Sequence, residues 1–97
     1  MPPASRVGDI ALGHGSFIPT PAIQGSPDVI TGSSPQHRKG DSLMPHPSPS
    51  PSPPHPRSAS AGSGTVLTNS KPTVRIGDAV SCGGMLVQGF STVIVGG

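Results

Sequence analysis

Glutamate, tryptophan and tyrosine are absent from this sequence, and cysteine occurs once, at Cys82. A single cysteine excludes a disulfide within the chain. With two Phe and no other aromatic residue, there is no series of platforms on which nucleobases could stack. A formal net charge of +2 is too small and too scattered to attract a nucleic acid. The only carboxylates are Asp9, Asp28, Asp41 and Asp78. No apolar run approaches the length a bilayer-spanning helix needs. The opening Met-Pro-Pro-Ala-Ser-Arg has no apolar stretch behind it, so no cleaved secretory signal is expected. Synthesis in the cytoplasm is expected, with any later export by another route.

Apolar residues are scarce as well. Leu, Ile, Val and Phe together number 20 of 97, against 28 Gly and Pro. Helical periodicity is missing and Gly and Pro are too frequent for helices, so an all-β fold with little or no helix is expected, as one domain over residues 1–97. A domain with so little core needs a disulfide, a metal or a partner. The first is excluded, which leaves a metal or a permanent neighbour.

The apolar residues that are present recur in a pattern. Residues 25–41 read GSPDVITGSSPQHRKGD and residues 62–78 read GSGTVLTNSKPTVRIGD, aligned without a gap at an offset of 37. Each holds a β-branched run, a turn, a Pro and then Arg-x-Gly-Asp. The runs Val29-Ile30-Thr31 and Val66-Leu67-Thr68, with turns at Thr31-Gly32 and Thr68-Asn69, predict β-hairpins. A third copy is split. Gly89–Gly97 (GFSTVIVGG) matches the front half, and Pro3–Asp9 (PASRVGD) matches the back half. Three units with the third shared between the termini imply a closed, pseudo-threefold arrangement with the termini side by side. The pairs Arg6 and Asp9, Arg38 and Asp41, and Arg75 and Asp78 are expected to join locally. As exposed pairs they would contribute roughly 0–1 kcal/mol each and fix register more than they stabilise.

Metal-competent side chains fall on this repeat. His14 follows Asp9 by five residues, His46 follows Asp41 by five, and Cys82 follows Asp78 by four. Converging repeats would bring these three groups together. His55 follows His46 by nine residues within the Pro/Ser-rich stretch 43–65, and can return to the same point. Three His and one Cys form a closed tetrahedral set suited to structural zinc, with iron as the less suitable alternative. A stiff Pro-Ser loop between two ligands loses less entropy on metal binding than a Gly-Ser loop would. His37 is a rival ligand. It lies at the station held by Ser5 and Val74 in the other copies, a strand position where packing or solvent exposure is expected instead.

Taken together, these motifs make the chain resemble the PAAR-repeat family. The name-giving Pro-Ala-Ala-Arg tetrapeptide corresponds to Pro35-Gln36-His37-Arg38, Pro72-Thr73-Val74-Arg75 and, at the split copy, Pro3-Ala4-Ser5-Arg6. Gly-His-Gly at 13–15, Gly-Ser-Pro-Asp-Val at 25–29, Arg-Ile-Gly-Asp at 75–78 and Cys-Gly-Gly at 82–84 also resemble that family. No copy keeps the tetrapeptide intact, and Lys39 replaces the apolar Val7 and Ile76 of its sister copies. The resemblance implies a short cone of β-hairpins with zinc near its apex, held by His14, His46, His55 and Cys82. It implies one monomer seated on the blunt end of a trimeric β-helical spike, either the valine-glycine-repeat spike of type VI secretion or its contractile phage-tail equivalent. Such a tip sharpens the spike, makes transient contact with a target membrane, and leaves the cytoplasm on the spike or in a virion tail.

Two other functions compete. A zinc hydrolase needs an open coordination position and a general base. Besides Asp9, Asp41 and Asp78 of the Arg-x-Gly-Asp turns, the only carboxylate is Asp28, itself in a hairpin, so no enzyme and no catalytic residues are expected. A disordered proline-rich adaptor, or a small zinc-binding interaction module, fits the Pro-Ser run but leaves the flanking repeats without a purpose.

Overall fold

In each repeat the chain reverses at Arg-x-Gly-Asp. The Asp amide donates to the Arg carbonyl at 3.0, 2.9 and 3.1 Å in the three copies. Gly8, Gly40 and Gly77 have φ of 95°, 93° and 93°, the left-handed value that the third residue of a type II turn requires. A Cβ added at any of these glycines would meet nothing within 4 Å, so backbone conformation and not space selects glycine there.

The computed structural model describes residues 2–12, 19–46, 55–81 and 83–96, with His46, His55 and Pro56 described through their backbone alone. Ten short strands are formed there, and among the described residues there is no helix. They are β1 (Pro3–Ala4), β2 (Ile10–Ala11), β3 (Thr20–Pro21), β4 (Ile30–Thr31), β5 (Ser34–Pro35), β6 (Ser42–His46), β7 (His55–Ser58), β8 (Leu67–Thr68), β9 (Lys71–Pro72) and β10 (Phe90–Ile94). Five antiparallel pairs follow: β1 with β10, β2 with β3, β4 with β5, β6 with β7, and β8 with β9.

The first of these pairs joins the termini. Pro3 is partnered with Ile94 just as Pro35 is with Ile30 and Pro72 with Leu67, so the split third hairpin is real. The turns of the two intact hairpins lie one residue later than the sequence suggests. They are Gly32-Ser33 (φ 56° and 70°) and Asn69-Ser70 (φ 53° and 66°). Positive φ at both central residues is the type I′ signature, whose twist matches that of the strands. Serine adopts this region at a cost. Ser70→Gly, which creates the favoured Asn-Gly pair, is expected to stabilise the fold by about 0.5–1 kcal/mol. A rise of a few degrees in the thermal midpoint would show it, and a fall would refute this account of the turn.

Closed rings of hydrogen bonds hold the three units together. On the axis, the Ser5 amide donates to the Val74 carbonyl (3.0 Å), Val74 to His37 (3.1 Å), and His37 back to Ser5 (3.1 Å). Around it, Val7, Lys39 and Ile76 donate to the carbonyls of Pro35, Pro72 and Pro3 at 2.9, 2.9 and 3.0 Å. Every link runs from one repeat to the next, so no unit can leave without opening both rings.

Beyond the turns the chain closes a small barrel. β2 pairs β3, Ala22 bridges Leu43, β6 pairs β7, Ala59 bridges Val80, Ala79 bridges Met85, and Leu86 bridges Ala11 to complete the circuit. The inward residues Ala11, Leu43 and Val80 each stand two positions after a repeat Asp. With Ala22, Ala59, Leu86 and Val74 they form the buried core. A closed barrel has no edge to offer for unwanted strand pairing.

Candidate functional site

Of the four metal ligands expected from the sequence, two fall within the described strands. β6 ends at His46 and β7 begins at His55, and the two are Cα partners across the ladder. Directly opposed residues of an antiparallel pair have Cα atoms about 4.5–5.5 Å apart, so the register brings these two together by backbone alone. His14 and Cys82 lie outside the described residues. Their segments are rooted in the same barrel. Residues 13–18 connect Ala11 to Thr20, which are partners in the β2–β3 ladder. On either side of position 82, the Val80 amide donates to the Gly84 carbonyl at 2.8 Å. Counted from the barrel residues Ala11, Leu43 and Val80, the stations are three, three and two residues on. Among the described residues no group of three or more His, Cys, Asp and Glu is placed to hold a metal.

The rival His37 is accounted for elsewhere. It lies fully buried in the axial ring, with Nδ1 2.8 Å from the Gln24 carbonyl. A carbonyl only accepts, so Nδ1 carries the proton. Ser5 repeats this contact in its own unit, with its hydroxyl donating to the Gln88 carbonyl at 2.6 Å.

The repeat ion pairs depart from expectation. Arg38 and Asp41 are buried and not exposed. In each copy Nε and Nη2 of Arg grip both oxygens of Asp, with Nε to Oδ2 at 3.1, 2.7 and 3.1 Å, and the Arg amide donates to the same carboxylate. The remaining Nη1 ties each unit to the next. Arg6 reaches the Gly32 carbonyl (2.9 Å), Arg38 the Asn69 side chain (3.3 Å) and Arg75 the Gly96 carbonyl (3.1 Å). Burial follows because the turn of one hairpin covers the guanidinium of its neighbour, a contact that no single repeat contains.

Two features escape inspection of one repeat at a time. Gln36 is buried, and its Nε2 donates to the carbonyls of Ser5 (2.7 Å) and His37 (2.9 Å), with that of Val74 at 3.3 Å. One side chain thus braces the three carbonyls of the axial ring, and nothing in its own sequence context announces this. The second feature is a belt of exposed apolar residues at equivalent hairpin positions. Ile30 is 58%, Leu67 60% and Ile94 48% exposed, and Val29 and Val66 beside them are also open. Their neighbours Thr31, Thr68 and Val95 are buried, as strand alternation requires. The offset of 37 was the signal that could have revealed the belt.

The barrel surface is different again. Leu12, Ile23, Met44, Met85 and Val87 are exposed. The only Arg among the described barrel residues, Arg57, is buried with Nη2 donating to the Leu12 carbonyl at 2.8 Å. The exposed Lys39, Lys71 and Asp28 all lie in the turn and hairpin layers.

A family model for the PAAR motif matches residues 12–88. No curated protein matches the chain.

Proposed function

Because the chain belongs to the PAAR-motif family, which is structural and associated with the spike tips of type VI secretion, we propose that it caps a trimeric β-helical spike as a single monomer. The spike is of the valine-glycine-repeat kind, or its phage-tail equivalent. The belt of Ile30, Leu67 and Ile94 carries this reading. A monomer has no need of an exposed apolar residue repeated three times around an axis, whereas a threefold partner can cover all three in the same way. Unlike the hairpin end, the barrel end keeps its exposed surface free of Asp, Lys and Arg among the described residues. That suits the end that meets a target membrane. A zinc ion held by His14, His46, His55 and Cys82 would tie the three loop segments at this end, and the opposition of His46 and His55 fits that donor set. When bound, the ion supplies cross-linking and no chemistry. The protein is made in the cytoplasm and leaves it on the assembled spike.

The test is binding to a purified trimeric valine-glycine-repeat spike from the same source, read by calorimetry. One chain per trimer is expected. The double variant Ile30→Asp, Leu67→Asp is expected to weaken binding at least 100-fold, equivalent to about 2.7 kcal/mol, while keeping the wild-type fold, because both positions face solvent. Equal binding by this variant would overturn the docking surface. A stoichiometry of three chains per trimer would overturn the capping geometry.

A further inference from the structure

His37 breaks the chemical symmetry of the axial ring. The sister copies fill its position with Ser5 and Val74, neither of which titrates. All three are fully buried. Val74 belongs to the apolar cluster of the barrel, so the ring residues stand at the floor of the barrel core. Donation from Nδ1 to the Gln24 carbonyl at 2.8 Å leaves Nε2 as the unprotonated nitrogen of a neutral ring. Nε2 is buried and has no hydrogen-bond partner. A second proton would have to be placed there, creating a charged donor with nothing to accept from it.

We propose that His37 is an acid-sensitive latch: protonation of the axial imidazole loosens the ring that joins the three repeats, so that the protein softens at acidic pH.

The surroundings of the ring support this. On its own strand it faces the Arg38–Asp41 pair, and from the neighbouring turn Asp9, itself held by Arg6. The strand of Val74 brings the neutral Thr73 and the Arg75–Asp78 pair. The segment after β3 offers only the Gln24 carbonyl. Each carboxylate is therefore already committed to an arginine. Burial dominates and pushes the His37 pKa below its ordinary value of 6.5, while the Gln24 carbonyl and the Asp charges oppose this without reversing it. A folded-state pKa below the unfolded one gives stability that is complete above pH about 6.5 and is lost as pH falls through the folded-state value.

The experiment compares thermal midpoints of metal-loaded wild type, His37→Val and His37→Ser at pH 7.5 and 5.0, alongside a nitrogen-detected NMR titration of the wild-type imidazoles. The two substitutions are residues the fold already accepts at this station. All three proteins keep the expected metal ligands, so acid release of metal lowers every midpoint alike and cancels in the difference. The wild type is expected to lose at least about 4 °C more than the variants between the two pH values, and His37 to titrate below its ordinary value of 6.5 from its Nδ1-protonated form. Equal losses in all three proteins, or a His37 midpoint at or above 6.5, would overturn the latch. If neither variant folds, the NMR midpoint decides alone.

Discussion

Chelation of the protein at neutral pH is expected to abolish its cooperative thermal transition, with elemental analysis of the untreated protein giving about one zinc per chain. The expectation rests on how little else the barrel end has. Three of the seven residues in the core cluster are alanines, and burying an alanine gains little. Two-stranded ladders such as β2–β3 and β6–β7 are marginal by themselves in water. Structural zinc sites in small peptides carry an apparent binding free energy of about 10–16 kcal/mol at pH 7, against a net stability of about 5–15 kcal/mol for ordinary domains. A contribution of that size decides whether such a chain folds at the barrel end at all. Cys82→Ala, which removes the one thiolate, is expected to reproduce most of the effect without chelator. Unchanged melting after verified metal removal would rule out the metal staple, yet would leave the hairpin belt and its docking role standing.

The repeat was legible because each of its residues answers a separate physical demand. Gly40 is there for its φ, Asp41 closes the turn, and Arg38 has no other carboxylate on its own turn. Such local demands leave a readable pattern, and the pattern located the third unit even though it is split between Pro3–Asp9 and Gly89–Gly97. What could not be read were relations among strands far apart in sequence. Gln36 resembles any polar residue on a hairpin until the Ser5 and Val74 carbonyls, 31 and 38 residues away, are seen to converge on its amide. The turns fell one residue late because Ser33 and Ser70 accept a left-handed backbone that local preference assigns elsewhere. The pairing of His46 with His55 follows from the β6–β7 register, which a run of Pro and Ser with no apolar alternation does not encode.

The repeat ion pairs supply the second large effect, and the sequence alone underestimates it. If the pairs were exposed, Arg38→Ala would cost roughly 0–1 kcal/mol. In the folded chain the Asp41 carboxylate is 1% exposed and receives Arg38 through Nε at 2.7 Å and Nη2 at 2.9 Å. Removing the guanidinium leaves a buried carboxylate with only backbone donors, and removing one partner of a buried pair costs about 3–5 kcal/mol. The Arg38 side chain keeps 9% of its surface exposed, so the lower end, about 3 kcal/mol, is expected. Arg38→Lys keeps the charge but loses both the two-pronged grip and the Nη1 contact to Asn69, and an intermediate loss is expected. The three copies should also rank by burial. In side-chain exposure the Arg members stand at 9% for Arg38, 14% for Arg75 and 20% for Arg6. Part of Arg6 lies over the Phe90 ring, 5.0 Å from its centroid, so Arg6→Ala loses packing as well as charge, and Asp9 (8%) and Asp78 (11%) are both more exposed than Asp41 (1%). Urea midpoints of the metal-loaded variants are therefore expected to fall most for Arg38→Ala and less for Arg75→Ala and Arg6→Ala. Equal, sub-kilocalorie losses at all three sites would mean that the pairs only set register. A loss confined to Arg38 would mean that the buried seam between the first two hairpins alone bears the load.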